Sequence, residues 1–221
     1  MNEEVTFDVI TIEQNAFKDL SKITSVSLPA SITTIEAGAF SGTSIADLDL
    51  STTSITTLNK LFEDNNVKLN SVELPATLVS LEDNALANCI QLSSVDFSLC
   101  SALTALGDGS LSNTIVDTYD FSNCYTLNAA GDAYATFLNF TSTENPFVNT
   151  TTTTNKNLET VILPKAATLD FSPVTEIGTV FANCEVLTEI TNLEVSSITE
   201  VADDAFAGDI SLTELSFPGT L

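Results

Sequence analysis

The sequence predicts a β-rich repeat solenoid, a chain wound into stacked coils that share one continuous hydrophobic core. Three observations predict this fold. A short apolar motif returns roughly every 23 residues along the chain. Each repeat contains two short stretches whose alternating apolar residues are typical of strands. The composition is rich in Ile, Leu, Val and Phe with many Thr and Ser, a mixture that favours strands over helices.

The first repeated element is a small residue followed by Phe or Leu, and we call this Phe or Leu the anchor. The first five anchors follow one another at steps of 23, 22, 24 and 25 residues, and they are Phe17, Phe40, Phe62, Leu86 and Leu111. The element returns at Phe181 and Phe206, again 25 residues apart. We expect each anchor to fill the core at a turn of its coil.

The second repeated element predicts an inner strand that ends in Val-x-Leu or a close variant. It reads Ile23-x-x-Val26-x-Leu28 near the start and Leu212-x-x-Leu215-x-Phe217 near the end. A further extended segment is expected before each anchor, for example over residues 32–35 and 103–106. One coil cannot bury its own apolar residues, whereas stacked coils can, with ladder hydrogen bonds about 4.8 Å apart. We expect about eight coils, wound right-handed by general strand chirality.

Taken together, these elements resemble the BspA-type leucine-rich repeat of bacterial surface proteins. The string Val26-Ser27-Leu28-Pro29 followed by Ile32 and by Thr34-Ile35-Glu36-Ala37-Gly38-Ala39-Phe40 carries the likeness, as do Asn88-Cys89 and Asn183-Cys184. The resemblance covers residues 10–127 and 158–221 and is weaker over 128–157. It implies a leucine-rich-repeat arc with short strands on one face, a secreted or cell-surface location and an adhesive or ligand-binding role. It brings no family-wide catalytic residues.

The domain organisation predicted for residues 1–221 is a single solenoid with one Thr/Asn-rich insertion near 139–157. Leu111 and Phe181 are 70 residues apart, about two coils plus an excess near twenty, and Phe137 is the candidate anchor of the interrupted coil. The insertion is either a loop on the binding face or an ordinary polar excursion. Because no polar capping sequence follows Phe217-Pro218, we expect the repeats to belong to a larger parent chain.

The charge inventory excludes several classes of function. The chain has 30 acidic and 6 basic residues, a net charge of −24, and no His; all the basic residues are Lys. His-dependent catalysis and His metal sites are therefore excluded, and we predict no cofactor and no metal. Nucleic acid is an unsuitable partner because the chain would repel phosphates. No apolar run is long enough for a membrane helix, and the acidic N-terminus lacks a signal-peptide core.

The four cysteines raise the question of a disulfide or a zinc site. Cys89 and Cys184 occupy equivalent positions several coils apart, too far for a bridge. Cys100 and Cys124 are expected on adjacent coils, where a disulfide is possible and stacked free thiols are the favoured alternative. A zinc site built from all four is excluded because the repeat keeps them apart.

A row of acids is predicted on the outward side of the inner strands. We call Asp49, Glu73, Asp96 and Asp120 the acidic row; Ser27 precedes it and Ile162 follows it at the same repeat position. Such close carboxylates are expected to raise one another's pKa. The row is either a solvated face or a contact surface for a cationic partner or Ca²⁺, although no Asp-x-Asp-x-Asp-Gly loop accompanies it.

The function predicted from these features is an extracellular or cell-surface scaffold that binds a protein or glycan, possibly a cationic one, through the solenoid face. No pair of carboxylates stands out from the others, so we predict that the chain is not an enzyme. The alternative is a structural spacer of a larger surface protein with no ligand of its own. A binding module should expose clustered aromatic or apolar residues on the strand face, whereas a spacer should be uniformly polar. The sequence leaves the oligomeric state open.

Overall fold

The computed structural model describes residues 8–62, 68–124, 147, 157–163, 176–177, 181, 184–191, 200–201, 203–217 and 219. Its regular structure over these ranges is thirteen short β strands, and every described strand pair is parallel. Parallel pairing between strands one repeat apart is the pattern of a solenoid, in which each coil hydrogen-bonds to the coils before and after it. The predicted β-rich repeat fold is confirmed.

The strands form two series, one for each strand predicted in the repeat. The outer series has two-residue strands: β1 (Thr11–Ile12), β2 (Thr34–Ile35), β4 (Thr57–Leu58), β6 (Ser80–Leu81), β8 (Ala105–Leu106), β11 (Glu176–Ile177) and β13 (Glu200–Val201). The inner series has three-residue strands: β3 (Asp47–Asp49), β5 (Ser71–Glu73), β7 (Ser94–Asp96), β9 (Thr118–Asp120), β10 (Thr160–Ile162) and β12 (Glu189–Thr191). The inner strands pair in the orders β3-β5-β7 and β12-β10-β9, and the outer ones as β1-β2, β4-β6-β8 and β11-β13.

Each inner strand buries its central residue and turns the two flanking residues outward. Leu48, Val72 and Val95 are buried and lie side by side in the register of β3, β5 and β7. Because side chains alternate along a strand, the residues on either side of these three point away from the core. This alternation is what places the acidic row on the surface.

The anchor turns share an unusual backbone conformation. In five coils φ is positive both two residues before and two residues after the anchor, at Asn15, Asp19, Gly38, Gly42, Asn84, Asn88, Gly109, Asn113, Asp204 and Gly208. Asn, Asp and Gly are the residues that adopt this left-handed conformation most readily. It lets alternate amides point along the stack: the amide of Phe17 donates to the carbonyl of Ala39 at 2.9 Å.

The anchors themselves form the centre of the core, as predicted. Phe40, Phe62, Leu86, Leu111 and Phe181 are all at most 1% exposed. Neighbouring aromatic anchors stack on each other: the ring centroids of Phe17 and Phe40 are 5.6 Å apart, and those of Phe181 and Phe206 are 5.9 Å apart. The described core is therefore continuous from coil to coil.

The long step in the repeat falls between β9 and β10. Thr118 of β9 pairs directly with Thr160 of β10, 42 residues further along the chain. Most of 139–157 and the candidate anchor Phe137 lie outside the described residues. Phe147 is described, and it is fully buried against Tyr119 with ring centroids 5.4 Å apart. The segment between β9 and β10 thus contributes at least one side chain to the core.

Candidate functional site

The structure places the members of the acidic row on neighbouring inner strands. Asp49 is in register with Glu73, and Glu73 with Asp96, across β3, β5 and β7; all three side chains are exposed. Asp120 is also exposed, but it lies on β9 and is in register with Ile162 of β10. The structure therefore brings three row members together in one sheet and carries the fourth on the next.

Three of the four acids have a local structural role that the sequence analysis missed. Each Asp accepts a hydrogen bond from the backbone amide of the Ser two residues later: Asp49 from Ser51 at 2.8 Å, Asp96 from Ser98 at 2.7 Å and Asp120 from Ser122 at 2.8 Å. A side chain that binds its own backbone in this way forms an Asx turn. The carboxylates therefore help to end the inner strands.

Four of the remaining coils have Pro two residues after the row position, and in the coil of β12 the row position is Thr191, followed by Leu193. Glu73 is followed by Pro75, and the same position is Pro in three other coils, where the row position holds Ser27, Ile162 and Ser216. Pro has no N–H to donate, so an Asp before it would have no amide to accept. The sequence already contains this difference: each Asp of the row is followed two residues later by Ser, whereas Glu73 is followed two residues later by Pro75.

The expectation that the row carboxylates raise one another's pKa is wrong for Asp49. Its pKa is lowered, first because the hydroxyl of Ser51 donates to the carboxylate at 2.6 Å and also because the amide of Ser51 donates to it. Hydrogen bonds to the charged form favour ionisation. At an exposed site, water screens the repulsion from the neighbouring acids.

Two concave regions lie on the inner-strand side. Asp96 and Asp120 both line a small concavity of about 90 Å³, together with Ser98 and Asn123. A wider groove of about 710 Å³ lies further along the chain, between β12 and residues 213–216. Both are lined mainly by carboxylates and hydroxyls, which can bind amines, amides and sugar hydroxyls.

The aromatic side chains of β9 and beside β7 and β9 are buried beneath this surface. Phe97, Tyr119 and Phe121 are each at most 2% exposed, and the Tyr119 hydroxyl is hydrogen-bonded to Thr114 at 2.9 Å. The inner-strand face from β3 to β9 is therefore polar, which is the surface expected of the spacer alternative. Exposed apolar residues include Ile90 and Ile115 after the anchor turns, and Leu99 three residues after β7.

The four cysteines are buried free thiols. Burial raises the pKa of Cys89, Cys100 and Cys184 to about 12, with smaller contributions from nearby charged groups. They are therefore protonated at neutral pH and are poor nucleophiles and metal ligands. The Cys100 thiol instead contacts the carbonyl of Pro75 on the preceding coil, at 3.7 Å.

Asp209 is the one described carboxylate whose surroundings clearly favour its neutral form. It occupies the repeat position of Cys184, three residues after the anchor. Burial raises its pKa to about 7, although its Oδ1 accepts the amide of Cys184 at 2.8 Å, which acts in the opposite direction. Its Oδ2 is buried without a hydrogen-bond partner. Asp209 therefore places an ionisable carboxyl group at a position that holds the neutral thiol of Cys184 in the preceding coil.

No group of three or more acidic or cysteine side chains among the described residues is arranged to hold a metal ion. Nor does the described part of the chain contain a helix long and apolar enough to cross a bilayer.

A repeat of parallel strands, buried anchors and Cys-bearing turns is the architecture expected from the resemblance. The model of the BspA type leucine rich repeat region matches residues 3–116, 60–169 and 149–221, in six copies. The chain belongs to the BspA-type leucine-rich repeat family. Leucine-rich repeat families are typically non-enzymatic scaffolds that bind proteins. No curated protein matches the chain significantly.

Three solved structures match the chain. A leucine-rich repeat protein from Bacteroides ovatus superposes with a TM-score of 0.54 at 22% identity, over 95% of this chain and 58% of that one. A leucine rich cell surface protein from Faecalibacterium prausnitzii (TM-score 0.36, 17% identity) is matched over 96% of this chain and 58% of its own. The pneumococcal vaccine antigen PcpA (0.38, 14%) is matched over 96% and 68%. The first supports the fold, and the chain spans little more than half its length.

Proposed function

We propose that the chain is a non-catalytic, extracellular or cell-surface scaffold that binds a protein or glycan through its inner-strand face. The observation that supports this most is the register of β3, β5 and β7, which holds Asp49, Glu73 and Asp96 side by side and exposed on stacked strands. Repeat solenoids commonly use such extended surfaces for recognition. In this proposal residues 1–221 act as one solenoid, with the 139–157 segment inserted into it.

The chemistry of this face favours a polar, cationic partner. Aromatic residues are buried beneath it, so recognition would depend on charge and hydrogen bonds rather than on apolar contact. Among the row members, the Glu73 carboxylate has no hydrogen-bond partner in the described part of the chain, whereas the three Asp carboxylates accept hydrogen bonds from Ser amides. Glu73 is therefore the row carboxylate whose oxygens are all available to a partner.

The location of the scaffold follows from the family rather than from this chain's own residues. Proteins that carry BspA-type repeats are mostly secreted or exposed on the bacterial surface, as the sequence resemblance implies. A strongly acidic, Lys-poor surface suits this environment because it resists non-specific contact with anionic polymers and membranes.

The spacer alternative is favoured by one observation, the polar inner-strand face from β3 to β9 with its Asx turns. In that case the Asp residues serve the fold and the surface only keeps the protein soluble. The two functions predict different behaviour toward ligands. A spacer tolerates charge reversal anywhere on the face, whereas a binding face does not.

The proposal is tested by screening the immobilised chain against arrays of extracellular-matrix proteins and glycans. We expect saturable binding that weakens as salt is raised from 50 to 500 mM, because exposed charge pairs are screened. The absence of saturable binding over both arrays would support the spacer. Binding that is insensitive to salt would contradict recognition by the acidic row.

A further inference from the structure

The ladder of inner strands is interrupted between β12 and the coil of residues 203–217. At four described junctions between coils, the amide just before the inner strand donates to the carbonyl of its counterpart one coil earlier. Asn70 donates in this way to Ala46 at 2.6 Å, and Thr188 to Glu159 at 2.8 Å. The next counterpart, Thr213, has no acceptor for its amide among the described residues, and no described donor bonds to the carbonyl of Thr188. The two segments therefore face each other without the hydrogen bonds that join other coils.

Both edges of this interruption present backbone groups without described partners. Among the described strands β12 pairs only with β10, and on that side the carbonyl of Thr191 accepts the Leu163 amide at 3.2 Å. Because successive residues of a parallel strand bond in opposite directions, the N–H and C=O of Ile190 point away from β10, toward residues 213–216. On the opposite edge, the backbone groups of Glu214 and Ser216 also have no partner among the described residues. Such edges are templates for a further strand.

The space between these edges has the volume of a short strand. It is the groove of about 710 Å³ that β12 and residues 213–216 line. At the spacings of a β sheet one extended residue occupies roughly 160 Å³, so the groove holds about four residues. The described inner ladder is also interrupted between β7 and β9, where Phe97 packs on Phe121 with ring centroids 4.8 Å apart and the concavity is only about 90 Å³. That junction is too small for a strand, whereas the one after β12 is open.

The side chains along the groove define what an inserted strand should carry. Glu189 and Glu214 occupy the same repeat position on the two edges, and both are exposed. A cationic side chain between them would have an opposite charge on each side, which stabilises cross-strand pairs. At the next position Ile190 is 7% exposed and Leu215 is partly buried against the core. An apolar side chain is therefore favoured between these two residues.

The third position along the groove is a pair of hydroxyls. Thr191 and Ser216 occupy the same repeat position on the two edges. The Oγ1 of Thr191 is buried and has no hydrogen-bond partner among the described residues. A buried polar group without a partner is costly, so a Thr or Asn side chain on an inserted strand would stabilise this site by bonding to it. The groove thus favours the order cationic, apolar, then Thr or Asn.

We propose that this groove binds an extended segment of a partner protein by strand addition. The segment lies parallel to β12, with Lys or Arg, then Val or Ile, then Thr or Asn in register with Glu189, Ile190 and Thr191. Its main chain completes the ladder on both sides and supplies affinity, while its alternating side chains supply selectivity. Because the groove lies between two successive coils, it needs no free end of the solenoid. It is also separate from the acidic row, and neither site depends on the other.

Fluorescence anisotropy of the labelled peptide Ser-Gly-Lys-Val-Thr-Gly-Ser, titrated with the 221-residue chain, tests the proposal. We expect saturable binding with a dissociation constant below 1 mM. Replacing the Lys of the peptide by Glu should weaken binding at least tenfold, and so should N-methylation of its Val, which removes a ladder donor and keeps every side chain. Both changes leave the protein untouched, so a folding defect cannot cause the loss. No saturable binding up to 1 mM would overturn the proposal, as would equal binding of the N-methylated peptide.

A matched pair of protein variants locates the peptide. Glu214→Lys should weaken its binding at least tenfold, whereas Glu185→Lys should change it less than twofold. Glu185 is an exposed residue of the β12 coil that does not line the groove. Circular dichroism establishes that both variants remain folded. Equal affinities for the two folded variants would overturn the proposal.

Hydrogen exchange followed by nuclear magnetic resonance tests the ladder itself. The amides of Ile190 and Thr213 should exchange at least tenfold more slowly when the peptide is bound. Unchanged exchange at both amides in the bound state would overturn strand addition, because the peptide would then be held by surface charge alone. Slow exchange before peptide is added would also overturn it, since a segment of this chain or a second copy would already fill the groove. Recognition by the acidic row is judged separately, by the array screen and Glu73→Lys.

Discussion

The anchor turns and the acidic row belong to the same coils, yet they vary in different ways along the stack. Five coils have Asn, Asp or Gly at both left-handed positions around the anchor. The row position instead passes from Ser27 through Asp49 and Glu73 to Ile162. The turns must satisfy a backbone conformation and a packed core, which few residue types can do. The row faces water, and the residue at each row position depends on whether Ser or Pro follows two positions later.

The anchor turns are therefore the positions to test for folding, and the acidic row contains the positions to test for binding. An Asp in the row that binds a Ser amide serves the fold at that point, even though it is exposed and charged. Glu73 cannot make the equivalent hydrogen bond, because the residue two positions later is Pro75, which has no amide hydrogen. The four acids of the row are therefore not equivalent, and averaging over them would obscure any role in binding.

The largest expected change in the free energy of unfolding comes from the buried anchors. Phe40→Ala should lower the free energy of unfolding by about 3–5 kcal/mol, because Phe40 is 1% exposed and contacts aromatic rings on both neighbouring coils. The same change at the partly buried Phe17 should cost about half as much. Urea denaturation of both variants measures the two values. Equal losses would show that the first coil is as well packed as the interior.

A smaller effect on the free energy of unfolding is expected at Asp209, which occupies the repeat position of Cys184. Because its pKa is raised to about 7 from 3.8, its contribution to stability is fully present below pH 3.8 and is lost as pH rises through about 7. Asp209→Asn should therefore raise the free energy of unfolding by about 1 kcal/mol at pH 8, a value reduced for partial exposure, and by almost nothing at pH 4. Asp209→Cys should behave similarly. A gain that does not change between pH 4 and 8 would contradict the assignment.

The smallest effect on stability is expected in the row itself. Asp49→Ala removes the acceptor for the Ser51 amide and hydroxyl and should cost about 0.5 kcal/mol, since the site is exposed. Because the pKa of Asp49 is lowered, this contribution should be present at neutral pH and lost as pH falls below the ordinary value of 3.8. Glu73→Ala should change stability by less than the error of measurement. A larger loss for Glu73 than for Asp49 would reverse the distinction between them.

Much of the fold was predictable because burial repeats. Anchors such as Phe40 and strand centres such as Val72 recur at nearly constant spacing, and only stacked coils bury them all. The left-handed turns were less visible, because Asn, Asp and Gly occur for many reasons. Phe147 shows the limit of composition: its segment is rich in Thr and Asn, yet the ring packs in the core against Tyr119. A polar segment can still supply a single core residue.

The candidate site was predictable in position but not in chemistry. Strand alternation placed Asp49, Glu73 and Asp96 on one face, and the structure finds them exposed and in register. Raised pKa values were predicted from charge alone, and for Asp49 that prediction is wrong because local Ser donors outweigh screened repulsion. The repeat spacing shows which residues face outward, but not the shape of the surface that a partner recognises. The identity of the ligand could therefore not be predicted.

A matched pair of charge reversals distinguishes recognition through the inner-strand face from a spacer role. Glu73→Lys and Glu82→Lys make the same change in the same coil; both side chains are exposed, but Glu82 follows the outer strand β6. For a partner identified on the arrays, we predict that Glu73→Lys raises the dissociation constant at least tenfold, about 1.4 kcal/mol, and that Glu82→Lys changes it less than twofold. Equal affinities for the two variants would contradict recognition through that face.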